Sequence, residues 1–412
     1  MDRIKLTRRD ILKKGGKVLV AFGVGLECFS SCAPMAPRQD ERAPRLSPGE
    51  QRDSAIDNLF KMNLAVKKNE RVLVFTDDQN PVVSREAHYV ARRGAPFGEI
   101  IFFTYPKTGL SAAEPPKELW EKAFGKRILE QIEKKDVMKR LLQKTLKDEE
   151  FETVKEIVRK NRADVVDVVI ALAWTSTLHT NFRKLLTDSA EARFASMPAF
   201  NPGMWQTAMA ANWEQVAQRT IAFKNKLSQA LSARIKTPKG TDLFLDLRDR
   251  IFSADTGLLD KLGRSGNLPA GKLSIAPVEG RSRGKMVIEP GINPGVKEPM
   301  IFEIRDGRVT KMTGGVGYAS WLESIFYKYP QARTIAEFGM GTNERAKIGT
   351  SVLESEKVLG TIHIAIGDNS ALGGRTVVPF HLVFILENPT VEITFSDGRT
   401  LHLFNKEGTL LS

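Results

Sequence analysis

A few side chains in this 412-residue sequence have the types and surroundings to do chemistry. Glu337 lies between Ala336 and Phe338, and an acid in so apolar a setting needs a partner. Lys272 or a metal ion would each provide one. His363 and His381 sit in apolar, strand-like segments, where a histidine is either a satisfied core residue or a ligand. Of the other three histidines, His88 and His179 lie in helical stretches and read as surface or capping residues. His402 alternates with Leu401 and Leu403 and is expected to face solvent. Glu279 reads as a loop-stabilising acid. The run Gly314-Gly315-Val316-Gly317 opens no parallel βαβ unit and reads as a turn. No Gly-x-Ser-x-Gly nucleophile signature is present. The two cysteines, Cys28 and Cys32, both lie near the start, so the rest of the chain has neither a thiolate metal site nor a disulfide framework.

The elements that must position these residues alternate in the α/β manner up to about residue 234. Apolar runs at 71–76, 99–104 and 165–173 read as buried strands, with helices at 83–93 and 181–186. A long helix over 213–231 closes this half. Strands alternating with helices imply a mainly parallel sheet covered on both faces. Residues 233–247 then form a hairpin turning at Pro238-Lys239-Gly240. Further strands are expected at 285–288, 300–304, 308–312, 361–366, 379–386 and 391–395, with helices near 318–329 and 351–359. The fold class is therefore an N-terminal α/β domain followed by a C-terminal α+β, largely antiparallel domain, without internal repeats.

Four stretches of the C-terminal half, taken together, resemble the aminopeptidase T family of metallopeptidases. They are Gly266 to Lys272 with Ala276 to Gly280, Ala336 to Asn343, Glu356 to Gly367, and Pro379 to Val383. The region 195–204 adds a weaker similarity. The resemblance implies a hydrolase that releases N-terminal residues from peptides. It also implies two divalent metals, of zinc or cobalt type, held by carboxylates and imidazoles, and a homodimer. Glu337, His363 and His381 match metal-binding positions of that family. Three other positions depart from it. Lys272 stands where the family has a metal-bridging glutamate, and Val383 where its His-x-Asp pair has the aspartate. Ser370 replaces a tyrosine present in some members. An ammonium and a valine side chain have no lone pair to offer a metal, so a complete two-metal site is not expected. Three readings follow: an aminopeptidase, a catalytically silent binding or structural lipoprotein in which Lys272 replaces metal, and a mononuclear metal enzyme. For the last, Glu337, His363 and His381 form a two-histidine, one-carboxylate set, with Asp368 as a substitute carboxylate. Such a set can hold one zinc or one oxygen-activating iron, and the wider superfamily looks to include ring-cleaving iron dioxygenases.

The N-terminus reads as an address. Residues 1–32 combine a basic region, a short apolar stretch at 18–26 and small residues, which is the pattern of an export signal. Arg8 and Arg9 resemble a twin-arginine motif, and Phe29-Ser30-Ser31-Cys32 a lipobox with Cys32 as the lipidated residue. These features imply an exported protein of the periplasm or cell envelope, attached to membrane through Cys32. The proline-rich stretch 33–52 reads as a tether, with domains expected at 53–264 and 265–412. The net charge is +13, of which seven basic and three acidic residues place +4 in residues 1–32. The remaining charge is interspersed with acids, as on solvated helix faces, and gives no nucleic-acid motif. The expected partner is a peptide or other small molecule.

Overall fold

The computed structural model describes residues 46–109, 113–349 and 351–403. The candidate signal, with Arg8, Arg9 and Cys32, lies outside the described residues. The helix Pro48–Asn58 begins within the stretch read as a tether. Ser47 caps it, reciprocally bonded with Glu50. Among the described residues no helix is long and apolar enough to cross a membrane.

In chain order the strands of the first half are β1 (Arg71–Asp77), β2 (Glu99–Tyr105), β3 (Val168–Ala171) and β4 (Arg193–Ser196). Next come β5 (Ala230–Lys236), β6 (Asp242–Asp246), β7 (Ser253–Asp255), β8 (Ser265–Asn267), β9 (Lys272–Ile275) and β10 (Arg283–Ile288). The remainder are β11 (Met300–Arg305), β12 (Arg308–Gly314), β13 (Ile335–Gly341), β14 (Ile362–Gly367), β15 (His381–Leu386), β16 (Thr390–Phe395) and β17 (Thr400–His402).

They form three sheets, ordered β2-β1-β3-β4-β8, β12-β11-β10-β6-β5-β16-β17 and β15-β14-β13-β9-β7. The first is parallel throughout. Both its faces are covered, which is why β1 is a nearly continuous apolar run. Val72, Val74, Val168 and Ile170 pack under the helices Pro48–Asn58 and Pro81–Gly94. Leu73, Phe75, Val169 and Phe194 pack on the opposite side, against the helices around Trp120, Val154 and Phe182. Asn80 starts the helix Pro81–Gly94 by accepting from the amides of Val82 and Val83, with proline at the first turn.

The other two sheets are antiparallel and pack on each other. Leu273, Ile275, Phe338, Met340, Ile362, Ile364, Ile366 and Phe384 meet Leu243, Leu245, Met286, Phe302 and Ile393 in one buried cluster. The expected fold class, α/β with a parallel sheet followed by an antiparallel domain, is what the chain adopts.

The long helix covers Trp213–Lys226 rather than reaching residue 231, because Gln229 turns with positive φ and Ala230 opens β5. The chain also changes sheets more often than a single division at 264 implies. Strands β5 to β7 already belong to the antiparallel sheets, and β8 returns to complete the parallel one. Strand β8 then leads through a short connection into β9, so the two halves are laced together at Lys272.

Candidate metal centre

The five-stranded antiparallel sheet has one apolar face, in the core, and one polar face. Alternation along the strands decides which residues share it. Asp255 pairs with Lys272, Ser274 with Gly339, Gly339 with His363, and Glu337 with Ala365, which in turn pairs with Val383. Residues opposite one another project to the same side, so Asp255, Lys272, Ser274, Glu337, His363, Val383 and His381 all lie on this face. Two local features aim the side chains. Alternation with Gly339 keeps Glu337 on the polar face, while a bulge between Ile335 and Glu337 shifts the register so that Ile335 pairs with Ile366 and turns into the core. Gly339 leaves room for the His363 ring, since a Cβ there would lie 1.9 Å from Nε2.

Glu337 is the hub. Its Oε1 accepts from Lys272 Nζ at 2.9 Å, Ser274 Oγ at 2.6 Å and His363 Nε2 at 3.0 Å. Its Oε2 lies 3.2 Å from His381 Nε2. Lys272 Nζ also donates to Glu356 at 3.1 Å, and the buried Lys357 closes on the other oxygen of Glu356 and lies 3.9 Å from Asp255. His363 is fully buried, whereas the His381 side chain keeps 34% of its surface exposed and so forms the open edge of the cluster.

Burial pushes the Glu337 carboxyl up, but the Lys272 ammonium and the two imidazoles outweigh it and hold Glu337 well below the usual carboxylate range. Glu356 is likewise pulled down, to about 2, because Lys272 and Lys357 overcome its burial. Burial alone would lower Lys272, yet Glu337 and Glu356 keep it above the ordinary lysine value. Burial raises Asp255 to about 6 despite the nearby lysines. The two histidines diverge. Burial lowers His363, while at His381 the bond to Glu337 outweighs burial and raises it.

A fourth group approaches from the other half of the molecule. His179 lies in the loop after β3, exposed but walled in closely enough to feel the charges of His381 and Asp368. Burial, then His381 and Arg183, lower it to about 4, so it is a neutral base at physiological pH. The sequence suggested a surface or capping residue, and His179 is exposed, but on the side that faces His381.

Other expectations fall elsewhere. Ser370 is exposed and folds back on Asp368, its Oγ 2.8 Å from Oδ1. Glu279 holds loops together through Arg250, Asn369 and the Arg375 amide. His88 stacks on Phe102, and the exposed His402 lies 3.9 Å from Glu392.

This arrangement is a buried carboxylate–imidazole cluster on the polar face of an antiparallel sheet, with a histidine of the parallel α/β unit close to its open edge. The chain belongs to the NicX family, whose model, 2,5-dihydroxypyridine 5,6-dioxygenase, matches residues 164–401, more than half of the sequence and all of this cluster. The 2,5-dihydroxypyridine 5,6-dioxygenase of Pseudomonas putida is 25% identical over 191 residues, 42% of this chain and 54% of the relative. The chain thus spans about half the length of that curated relative. The structure of the 2,5-dihydroxypyridine dioxygenase from P. putida KT2440 has a TM-score of 0.63 at 18% identity, covering 89% of this chain and 99% of that one. AmpT from Thermus thermophilus has a TM-score of 0.54 at 16% identity, covering 89% and 100%. At these identities both structures speak for the fold alone.

The family match corrects the expected aminopeptidase T assignment, and with it the peptidase, metallopeptidase and hydrolase reading. What the chain shares with AmpT is its architecture. The physical reason is on the polar face: Lys272 brings a cation where a bridging carboxylate was needed, and Val383 contributes no donor atom. A lipoprotein, its membrane anchor at Cys32 and a homodimer gain no support from the family or the relatives. A small-molecule substrate and a divalent metal remain in keeping with the family, but a zinc or cobalt type is not borne out.

The donor set can be tested against such a metal. Among the described residues no group of three His, Cys, Asp or Glu is arranged to hold a metal ion; His363 and His381 each contact Glu337 instead. Their chemistry nevertheless suits one ion. Donor atoms about 2.1 Å from one ion and at right angles lie about 3 Å apart, and the Nε2 atoms of His363 and His381 stand 3.0 and 3.2 Å from the Glu337 oxygens. His381 also has the outer support of a ligand, because its Nδ1 bonds the Asp368 carbonyl at 2.8 Å and leaves Nε2 to present a lone pair. His363 is the weaker of the two, its buried Nδ1 having no partner.

Proposed function

We propose that this chain is a ring-opening dioxygenase for a small hydroxylated pyridine or closely related ring. It would use a single divalent metal, iron being suited to this donor set, held by Glu337, His363 and His381. The observation that carries the proposal is the convergence of both imidazoles on one buried carboxylate, inside the segment that matches the dioxygenase family.

When bound, the metal supplies the redox chemistry by which dioxygen attacks an aromatic ring. The chain's own residues do the rest. His381, at the open edge, marks the side from which substrate enters. Lys272 and Ser274 fix the Glu337 carboxylate from behind, so it holds one orientation. Val383 gives that face an apolar patch beside the polar cluster, suited to the edge of a flat ring. His179, neutral and close to His381, can take the proton of a ring hydroxyl.

The direct test is to load the full chain with ferrous iron under anaerobic conditions and add 2,5-dihydroxypyridine with isotopically labelled dioxygen. The expected product is ring-opened and carries both labelled oxygen atoms. Intact ring with no dioxygen consumed, for this compound and for a panel of mono- and dihydroxypyridines, would refute the proposal. We further propose export directed by residues 1–32. Cell fractionation checks this, and a cytoplasmic protein that retains residues 1–32 would overturn it.

A further inference from the structure

The most unusual feature of the cluster is a pair of buried ammonium groups. Lys357 is fully buried, and Lys272 keeps only 15% of its side-chain surface. Lys272 Nζ sits between two carboxylates, 2.9 Å from Glu337 and 3.1 Å from Glu356, with His363 Nε2 itself 3.8 Å from that same Glu356 oxygen. Two buried carboxylates closing on one ammonium neutralise it as they would a bound cation. Here the cation is a side chain. Lys357 does not duplicate it, since it closes on the far oxygen of Glu356 and on Asp255.

Buried carboxylates demand a counter-charge. Leaving Glu337 and Glu356 together without one would bury two like charges with nothing to offset them. Lys272 supplies that charge from a strand anchored on both sides, by Asp255 on β7 and Gly341 on β13. An ammonium carries one positive charge and offers no lone pair, so it neutralises without leaving a position for water or substrate to coordinate.

We propose that Lys272 is a covalently attached cation filling a second cation position of this cluster, between Glu337 and Glu356, and that it limits the site to one metal ion. The inference rests on the single-metal reading above. Its prediction for variants is specific: removing the ammonium should open the second position to a divalent ion, which Glu356 and the shared Glu337 would hold.

The experiment uses the full chain and Co2+ as the probe, with bound metal counted by elemental analysis after desalting and the visible cobalt absorption followed during titration. Wild type should saturate at about one equivalent and Lys272→Glu at about two, with a second absorption change. Lys272→Gln, which removes the charge without adding an acid, should also take up a second ion, more weakly. It keeps the test decisive if the glutamate variant fails to fold, as judged by its melting curve. One equivalent in wild type and in every folded variant would overturn the inference and leave the single-metal reading standing, whereas two equivalents in wild type would overturn both. No cobalt in wild type but uptake by the variants would uphold the role of Lys272 and sink the single-metal reading. No uptake by any of these proteins would overturn both.

Discussion

Glu337 concentrates the energetics of the site, because four donors converge on one buried carboxylate. Such a group is held by its partners. Glu337 and Glu356 are both depressed in the folded protein, Glu356 from an ordinary 4.5 to about 2. A carboxyl depressed in the fold contributes stability above its unfolded value and loses it as the pH falls through the folded one. The stability carried by Glu356 should therefore be complete above 4.5 and disappear as the pH drops toward 2, with Glu337 acting in the same direction. Asp255 acts in the opposite sense, raised from 3.8 to about 6, so it withdraws stability as the pH climbs through that window. Urea unfolding below about pH 4.5 should show a steep fall in midpoint that Glu356→Gln makes shallower. A variant with an unchanged acid slope would count against the ion network. At neutral pH, Glu356→Gln should cost about 3–5 kcal/mol, since it leaves Lys272 and Lys357 short of a buried partner.

At the scale of elements, β13 and β14 do the positioning. The regular register of Glu337 and Gly339 against β14, and the bare Cα of Gly339, bring a carboxylate and an imidazole to one point. Gly339→Ala would drive a methyl group to within 1.9 Å of the His363 ring. Its expected cost is about 1–3 kcal/mol in thermal or urea stability, with metal affinity falling more sharply than stability. Equal metal affinity in the alanine variant would show that the ring has room to move.

Much of this layer was legible in the sequence. The apolar runs of β1, β2 and β14 and the hairpin of β5 and β6 announce themselves by length and alternation. Strands β4, β7, β8 and β9 do not, because three or four residues are too few to show a period. The unrecognised strands include β7 and β9, the two that carry Asp255 and Lys272. Glu337, His363 and His381 were recognisable as candidates, as was a pairing of Lys272 with Glu337. Ser274, Glu356, Lys357 and Asp255 gave no signal, since their roles depend on contacts between segments up to a hundred residues apart.

For the whole molecule, what matters is that the loop after β3 of the parallel sheet brings His179 close to His381 and Asp368 of the antiparallel half. The antiparallel sheet offers the polar face. His179 belongs to the first half and the Glu337 cluster to the second, so the proposed reaction draws on both. His179→Ala should reduce turnover by about a hundredfold or more while leaving metal content and melting temperature close to wild type. Full activity in that variant would remove His179 from the chemistry. The sequence could not place His179 here, because nothing in a loop's composition tells which distant strand it will face. Nor could it separate a peptidase from an oxygenase on a shared architecture. The C-terminal motifs track the architecture, whereas the donor atoms that choose the chemistry are single residues within it, notably Lys272 and Val383.

The central claim is that one divalent ion is held by Glu337, His363 and His381. It is tested most directly by anaerobic titration of the full chain with ferrous iron, counting the iron retained after desalting, beside Glu337→Gln. About one equivalent is expected in the wild type and almost none in the variant. A wild type that retains no iron, or a variant that retains as much, would contradict it.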